Sequence, residues 1–501
     1  MGPEDLPEPD KRPNDRDIHL DGALAVQDAC EHEIDGDDGM VLVFHKTGGI
    51  IISVEQRPLI AILSVSLLMR TGILKIFHAK HARSAGFTLI ELLVVIAIIA
   101  VLAVVVVLTL NPAELLRQSR DANRVSDMST LTSALNLYSA DQSGSASFNM
   151  GSSSVVYVSI PDPAATSTAG TNCSSLGLAT LPSIYIYHCA SSSTYRNVNG
   201  AGWIPVNLMN ISSGAPLGDL PVDPTNNSSS RLYYTYTTNG TQYEVTSVME
   251  SQKYQVAGSN DVISSDGGPL ASVYEKGSKL GLEPLDYGDP TLAGYWPLNE
   301  GTSSIAYDDS GNNATGSWQG SQIGTNGYYT TNAKTGSYAG GFDGLTTYIS
   351  IPQSPSLNIQ GSLTISAWIY PTSWLSGYEG IVSRWGSAQY LFEIWSNETM
   401  SFYLYGGGSQ IGTYTTAVMP VNQWVNVVGV YNQNSMQLYY NGVQNGSPVA
   451  FSQGLPSTSQ ATIIGYGGGT NQKFPGYIND VRIYNRALSS AQIAAMYKGG
   501  K

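Results

Sequence analysis

Residues 86–110 read GFTLIELLVVIAIIAVLAVVVVLTL, and this stretch with its one charge, Glu91, decides how the rest of the chain is organised. From Phe87 onward it is apolar on every face, unlike the one-sided stripe of a soluble surface helix. As a helix rising about 1.5 Å per residue, residues 87–110 reach roughly 36 Å, enough for a hydrocarbon core of about 30 Å. Upstream, residues 69–86 carry Arg70, Lys75, Lys80 and Arg83 and no acidic residue. A basic flank of this kind stays cytoplasmic, so the chain beyond Leu110 is exported. An ordinary secretory signal has a shorter apolar core with its cleavage site after it. Here Gly86 precedes the run, and cleavage at that glycine would leave the helix on the mature protein.

The basic leader, Gly86, the heptad Phe87-Thr88-Leu89-Ile90-Glu91-Leu92-Leu93 and the unbroken apolar run together resemble the class III signal of type IV pilins and type II secretion pseudopilins. The resemblance implies that prepilin peptidase cuts between Gly86 and Phe87 and methylates the new amino group of Phe87. It also implies that Glu91 meets the N-terminal amine of a neighbouring pilin subunit and draws it into register. A carboxylate inside a spanning helix costs about 2.5–3.5 kcal/mol and calls for such a partner. The implied location is a single pass of the bacterial inner (cytoplasmic) membrane, then the pilus or cell surface. The plainer alternative is a simple anchor with Glu91 near the membrane interface.

Residues 1–68 fit no such leader, since they hold 14 acidic against 5 basic residues, and their apolar run 59–68 is too short to span a bilayer. Met69 would give a natural leader of residues 69–86. Two readings stand for 1–68: upstream translation from a misplaced start, or a disordered extension.

Beyond the apolar run, Asn111-Pro112 should kink the helix or mark its exit from the membrane. Leu115, Leu116, Val125, Met128, Leu131, Leu135, Leu137 and Tyr138 then carry an imperfect helical period, with Arg117, Arg120, Asp121 and Arg124 on the polar side. The first helical region is therefore 87–143, followed by a small α+β head over 144–282. Asn239-Gly240, between the runs 232–236 and 242–246, is a two-residue hairpin signal. The phrases Gly202-Trp203-Ile204-Pro205 and Leu220-Pro221-Val222-Asp223-Pro224 are similar to the variable head of bacterial pilin-like proteins. By that resemblance Asp219, Asp223 and Asn226 become candidates for a calcium loop, a solvated turn being the alternative.

Charged residues make up only 12% of the chain and net charge is −14, which speaks against a nucleic-acid partner because phosphate binding needs clustered Lys and Arg. No CxxC or Cys/His spacing suggests zinc. With Cys30 outside the mature protein, Cys173 and Cys189 remain as one pair. A disulfide between them in an oxidising compartment would contribute about 3 kcal/mol, and two unpaired small apolar side chains are the other reading.

Residues 283–292, rich in proline, read as a linker. From 293 to 501 short alternating runs such as 363–370, 400–405, 424–431 and 436–440 recur between turns, the pattern of an antiparallel β-sandwich. The residues Tyr295-Trp296-Pro297-Leu298-Asn299-Glu300-Gly301, Asp309-Ser310-Gly311-Asn312, Gly341-Phe342-Asp343-Gly344 and Gly476-Tyr477-Ile478-Asn479-Asp480-Val481-Arg482-Ile483-Tyr484 are similar to a laminin G-like domain of the concanavalin A-like jelly-roll superfamily. The resemblance implies one calcium ion, with Asp308 or Asp309, Asn312, Asp343 and Asp480 as ligands; Asn479-Asp480 stands where relatives commonly have Asp-Asp.

Some jelly rolls of this superfamily hydrolyse glycans with carboxylates spaced along one strand. Glu300, Glu379, Glu393 and Glu398 make no such pattern, and no histidine follows His188, so no catalytic set is expected. Trp374, Tyr378, Tyr390 and Trp395 fall in or beside expected loops and could stack on sugars, whereas Trp368 and Trp424 alternate as core residues would. The expected protein is multidomain, α+β and all-β: a long hydrophobic helix, a small head and a jelly roll. Its expected role is a non-enzymatic pilin-like filament subunit, minor or at the tip, whose module adheres to a glycan or protein ligand. A secretion pseudopilin and a tethered glycan hydrolase are the alternatives.

Overall fold

The computed structural model describes residues 40–45, 49–54, 88–165, 172–182, 184–374, 377–384 and 389–501, with backbone alone for 40–45, 49–54 and 104–110. The chain divides into two compact units, Met1–Leu102 and Ala103–Lys501. Gly86 and Phe87 lie outside the described residues.

Within 1–68, strands β1 (Met40–His45) and β2 (Gly49–Val54) pair antiparallel. MVLVFH and GIIISV contain β-branched residues that suit a ladder, and the rest of 1–68 lies outside the described residues. Helix α1 (Leu89–Leu110) ends where Asn111 turns left-handed at φ 40°, and α2 (Pro112–Gln142) begins on the proline. Pro112 lacks the N–H that a first helical turn leaves orphaned, and Asn111 Oδ1 accepts from Glu114 N at 3.4 Å.

Helix α2 lies against a five-stranded sheet in the order β4-β3-β5-β6-β7, formed by β3 (Val155–Val158), β4 (Ile186–Cys189), β5 (Tyr234–Thr238), β6 (Tyr243–Ser247) and β7 (Tyr274–Gly277). β3 and β4 run parallel and the remaining pairs antiparallel. Met128, Leu131, Leu135 and Tyr138 of α2 share a core with Trp203, Tyr234, Tyr236 and Val245. The β5–β6 connection spans residues 239–242, longer than the two-residue turn expected from Asn239-Gly240. Asn239 Oδ1 accepts from Thr241 N at 3.1 Å and Gln242 N at 2.8 Å, an Asx-type turn that draws those residues out of the ladder.

The face of α2 differs from the sequence reading. Asp121 and Arg124 are fully buried, while Leu115, Leu116 and Leu137 are exposed. Arg124 is tolerated inside because every side of it is partnered: Asp121, Asp223 and Glu250 all receive its N–H groups at 2.6–2.9 Å.

The C-terminal module is a sandwich of two antiparallel sheets. One runs β18-β17-β16-β15-β23-β13-β10-β9: β9 (Ile305–Ala306), β10 (Gly316–Gln319), β13 (Tyr348–Ile351), β15 (Glu379–Arg384), β16 (Tyr390–Ile394), β17 (Thr399–Gly406), β18 (Ser409–Val418) and β23 (Thr462–Ile464). The other runs β11-β12-β24-β14-β19-β20-β21, with β8 on β24 and β22 on β20. Its strands are β8 (Leu292–Trp296), β11 (Tyr329–Thr330), β12 (Ala339–Asp343), β14 (Leu363–Pro371), β19 (Val425–Tyr431), β20 (Ser435–Tyr440), β21 (Val443–Gln444), β22 (Val449–Ala450) and β24 (Pro475–Tyr484). Alternate residues of both, such as Ile349, Phe392, Phe402 and Ile464 against Ile365, Val427, Ile478 and Val481, fill the space between.

The second sheet has its other face covered too. Tyr295, Val428, Val430, Tyr439 and Tyr484 join Val156, Val158, Tyr233, Val273 and Leu285 of the head in one apolar cluster, together with Ile493 and Met496 of α3 (Ser490–Gly499). The expected linker 283–292 is therefore corrected to a seam: Glu283, Leu285, Asp286 and Tyr287 are buried, and Tyr287 stacks on Tyr233 at 4.9 Å. Its prolines forbid a regular ladder without forbidding burial, because neighbouring groups satisfy the backbone and acids. Asp286 accepts from Ala271 N at 2.9 Å, and its own N–H donates to Asp309 O at 2.8 Å. Lys501 closes the seam, its Nζ donating to Ile263 O at 2.6 Å, Asp266 Oδ1 at 2.9 Å and Leu270 O at 2.5 Å.

Candidate functional site

At the N-terminal end of α1 the described residues begin with Thr88. Glu91 is exposed, and its Oε2 accepts from both Thr88 N and Thr88 Oγ1 at 2.9 Å while Thr88 Oγ1 accepts from Glu91 N at 3.3 Å. The sequence Thr-x-x-Glu thus forms a reciprocal capping box that satisfies two orphan N–H groups of α1. Helix α1 has 22 residues, with side chains described as far as residue 103. Among the described residues no helix is long and apolar enough to cross a membrane.

With one sheet of the module spent on the head, its free face is the outside of the first sheet. In β16 and β17 the pleat sends Tyr390, Phe392, Phe402 and Leu404 into the core. Their alternates Glu393, Ser401, Tyr403 and Tyr405 take the other face, with Glu393 opposite Ser401 across the ladder. Trp395, just past β16, meets Tyr378 edge-on at 5.0 Å, Tyr414 at 5.2 Å and Tyr403 at 6.2 Å. Tyr414 is 39% exposed, so this aromatic group reaches the surface. Glu393 lies beneath it, 3% exposed. Burial and then the neighbouring Glu379 push its carboxyl up to about 7, against the Trp395 and Ser401 donors that lower it. Aromatic faces beside a polar group suit recognition of a ring that is apolar on one side and hydroxylated at its edge.

Of the aromatic candidates, Tyr378 and Trp395 belong to this group. Tyr390 points into the core and Trp374 packs against it, which removes both as stacking residues. Trp368 is buried as expected, at 2% exposed, but away from the core between the two sheets, whereas Trp424 is only half-buried. Trp368 lies on the outer side of β14 under Tyr497 and Lys334, and Trp424 rests against Tyr370 at 5.5 Å. An alternating pattern gives the period of a strand without saying which face is core when both are covered.

The residues expected to hold calcium do not converge. Asp308 accepts from Tyr295 N at 2.9 Å, Ser310 N at 3.0 Å and Ala314 N at 2.8 Å, so both oxygens are occupied by backbone amides. Asn312 Nδ2 donates to Leu292 O at 2.8 Å. Asp343 caps its own turn through Leu345 N, Thr346 N and Thr347 N. It pairs with Pro475 at the start of β24, five positions before Asp480, hence roughly 16 Å away along the strand. Asp480, left-handed at φ 59°, forms a bulge opposite β14 and faces Arg482 Nη2 at 2.9 Å. Asn479 Oδ1 ties down the 334–338 loop by accepting from Lys334 N at 3.0 Å and Thr335 N at 2.8 Å, and its Nδ2 donates to Pro297 O at 2.6 Å. Among the described residues no group of three His, Cys, Asp or Glu is placed to hold a metal ion. The set does not fit calcium.

In the head, Asp223 is engaged by Arg124, Asn226 by Ser159, and Asp219 is exposed, so these three form no calcium loop either. Cys173 and Cys189 are joined by a disulfide with Cα atoms 5.5 Å apart, fastening the 173–181 segment to β4. The Glu379–Glu393 proximity is invisible in the sequence because it arises across the β15–β16 ladder, whose register no spacing along the chain announces.

Residues 342–494 match the Laminin_G_3 model, described as the concanavalin A-like lectin/glucanases superfamily, and residues 81–107 match the prokaryotic N-terminal methylation motif. No curated protein matches the chain. Among solved structures it is similar to Domain 4 of AbnA, an extracellular arabinanase from Geobacillus stearothermophilus, at 20% identity and TM-score 0.34 over 41% of this chain and 98% of that one. It is also similar to the binding domain of Paraclostridial Mosquitocidal Protein 1 (16% identity, TM-score 0.34, 41% of this chain and 52% of that one). A further likeness is to the binding domain of botulinum neurotoxin DC in complex with SialylT (16%, 0.32, 42% and 52%). The chain spans about half the length of those two toxin binding domains. The protein joins a prokaryotic N-terminal methylation motif to a C-terminal laminin G-like domain of the concanavalin A-like superfamily.

Proposed function

We propose that this chain is a pilin-like subunit cut between Gly86 and Phe87 by prepilin peptidase, anchored in the inner membrane by residues 87–110, and assembled with other pilins through Glu91. The observation that carries the reading is the methylation motif at one end of a chain whose other end is a lectin-superfamily module. The capping box around Glu91 gives its carboxylate a local partner before assembly, which an incoming amine would replace. So large a head on every subunit would crowd a fibre, which favours a minor or tip position.

The module acts by binding, and its ligand is a glycan or a surface protein. Packing of the second sheet against the head directs recognition to the outside of the first sheet, around Trp395, Tyr403 and Tyr414. Glycan-array and cell-binding assays with the purified protein test this. Binding weakened about tenfold or more by Trp395→Ala supports adhesion, in line with about 1–3 kcal/mol for a stacking aromatic. Absence of binding, or binding indifferent to Trp395, contradicts it. Release of sugar that Glu393→Gln abolishes would instead make the module a hydrolase, and periplasmic retention without surface fibres would favour a secretion pseudopilin.

A further inference from the structure

A second recessed site lies in the seam between head and module, away from the aromatic face. A cleft of about 780 Å³ opens there, walled on the head side by Tyr185 and Leu280 and on the module side by Asn299, Glu300, Tyr307 and Asp309. That volume is in the usual range for a small-molecule site, and domain seams are a common place for one.

Among the described residues, its acidic groups have no cation paired to them. Glu300 receives Tyr307 N on Oε1 at 2.7 Å, while its Oε2 is buried with no partner in hydrogen-bond geometry, the neighbouring Tyr329 hydroxyl being given to Ile305 O at 3.1 Å. Asp309 has its backbone fixed in the seam, N–H to Tyr295 O at 2.8 Å and carbonyl to Asp286 N at 2.8 Å, which holds its carboxyl at the cleft wall. Two lysines line the cleft: the ammonium of Lys334 sits 4.3 Å over the Trp368 ring and is used there, and that of Lys279 makes no ion pair with these acids. Burial pushes Glu300 up to about 7, and Asp309 is raised by burial and by the facing carboxylates of Glu300, Asp308, Glu283 and Asp286. A neutral molecule would leave that repulsion in place, whereas a cation would relieve it.

From the cleft and the unpartnered Glu300 oxygen in it, we infer that this seam binds a small organic molecule through a primary ammonium group, held between Glu300 and Asp309. Amino sugars, polyamines and lysine side chains all carry that group. Tyr185 and Tyr307 supply apolar walls for the attached carbons, and Asn299 a neutral polar edge.

The test is isothermal titration of the full-length protein in detergent micelles at pH 7 with D-glucosamine, spermidine and Nα-acetyl-lysine amide, and with N-acetyl-D-glucosamine as the uncharged control. The expected result is saturable binding of at least one amine, with a heat that varies with the buffer because protons leave the carboxyls. The arm that binds tells which source of ammonium the cleft accepts. Glu300→Gln with Asp309→Asn should weaken binding at least tenfold while the melting temperature stays at or above that of the unsubstituted protein. Should the double variant not fold, Asp309→Asn alone, which keeps the Glu300–Tyr307 bond, should show the same direction. No binding of any amine, equal binding of the acetylated sugar, or variants that bind unchanged would overturn the inference.

Discussion

Arg124 grips Asp223 across 99 residues of chain, Nε to Oδ2 at 2.6 Å and Nη2 to Oδ1 at 2.9 Å, both side chains fully buried. The pair ties the helix to the loops at one end of the head sheet. Asp121, which accepts from Ser251 N at 2.7 Å, and Glu250 complete the network.

Breaking a buried pair leaves one charge uncompensated, which costs about 3–5 kcal/mol. Arg124→Ala and Asp223→Ala should each destabilise the head by about that amount in urea denaturation followed by circular dichroism. Arg124→Lys, unable to make both prongs, should recover only part of it. A loss below about 1 kcal/mol for Asp223→Ala would show the network to be dispensable.

Stability should fall as pH rises above the ordinary carboxylate range. Burial lifts Glu283 from 4.5 to about 8 and Glu300 and Glu393 to about 7, so the folded chain keeps protons that the unfolded chain has released. Their contribution is whole below about 4.5, is lost as pH climbs to about 8, and is on the order of 3 kcal/mol per group. Asp343, lowered to about 2 by its turn donors against burial, acts the other way and only below about 4. Melting curves from pH 5 to 8 check this: Glu393→Gln should flatten the slope, and a flat profile in the unsubstituted protein would contradict the burial argument.

Reduction of the Cys173–Cys189 disulfide, which closes a loop of sequence separation 16, should cost about 3 kcal/mol. Melting with and without reductant measures it, and Cys173→Ser with Cys189→Ser should match the reduced protein. Any effect of reductant that persists in that double variant would have to come from elsewhere.

Calcium should leave the module unchanged, because Asp308 spends both oxygens on backbone amides, Asp343 spends its own on turn amides and the Thr346 hydroxyl, and Asp480 faces Arg482. A melting temperature raised by several degrees at millimolar calcium and restored by chelator would contradict that geometry.

Much of this architecture was legible in residues 86–110 and in the alternation from 363 to 440. The run Leu89–Leu110 is helical as its unbroken apolar pattern suggests, and a period of two suits little besides a strand. What stayed hidden depends on partners far along the chain. Arg124 looks solvent-facing until Asp223 and Glu250 are brought to it, and residues 283–287 look like a linker until the head and second sheet close on Leu285 and Tyr287. The same holds for the candidate sites. Glu379 nears Glu393 through a ladder, and Glu300 and Asp309 face the cleft because Tyr295 and the seam hold the intervening chain. Asp308 or Asp309 with Asn312, Asp343 and Asp480 is joined into one ion site by resemblance to laminin G-like domains, and a sequence carries no distances to test it.

In the proposed pilin-like role, methylation and assembly both depend on a cut before Phe87, and mass spectrometry of the mature protein's N-terminus reads that cut. The expected result is a chain beginning with N-methylated Phe87 in cells with prepilin peptidase and an uncut chain in cells without it. A mature protein that begins at any other residue, or that is the same in both strains, would contradict the pilin-like assignment.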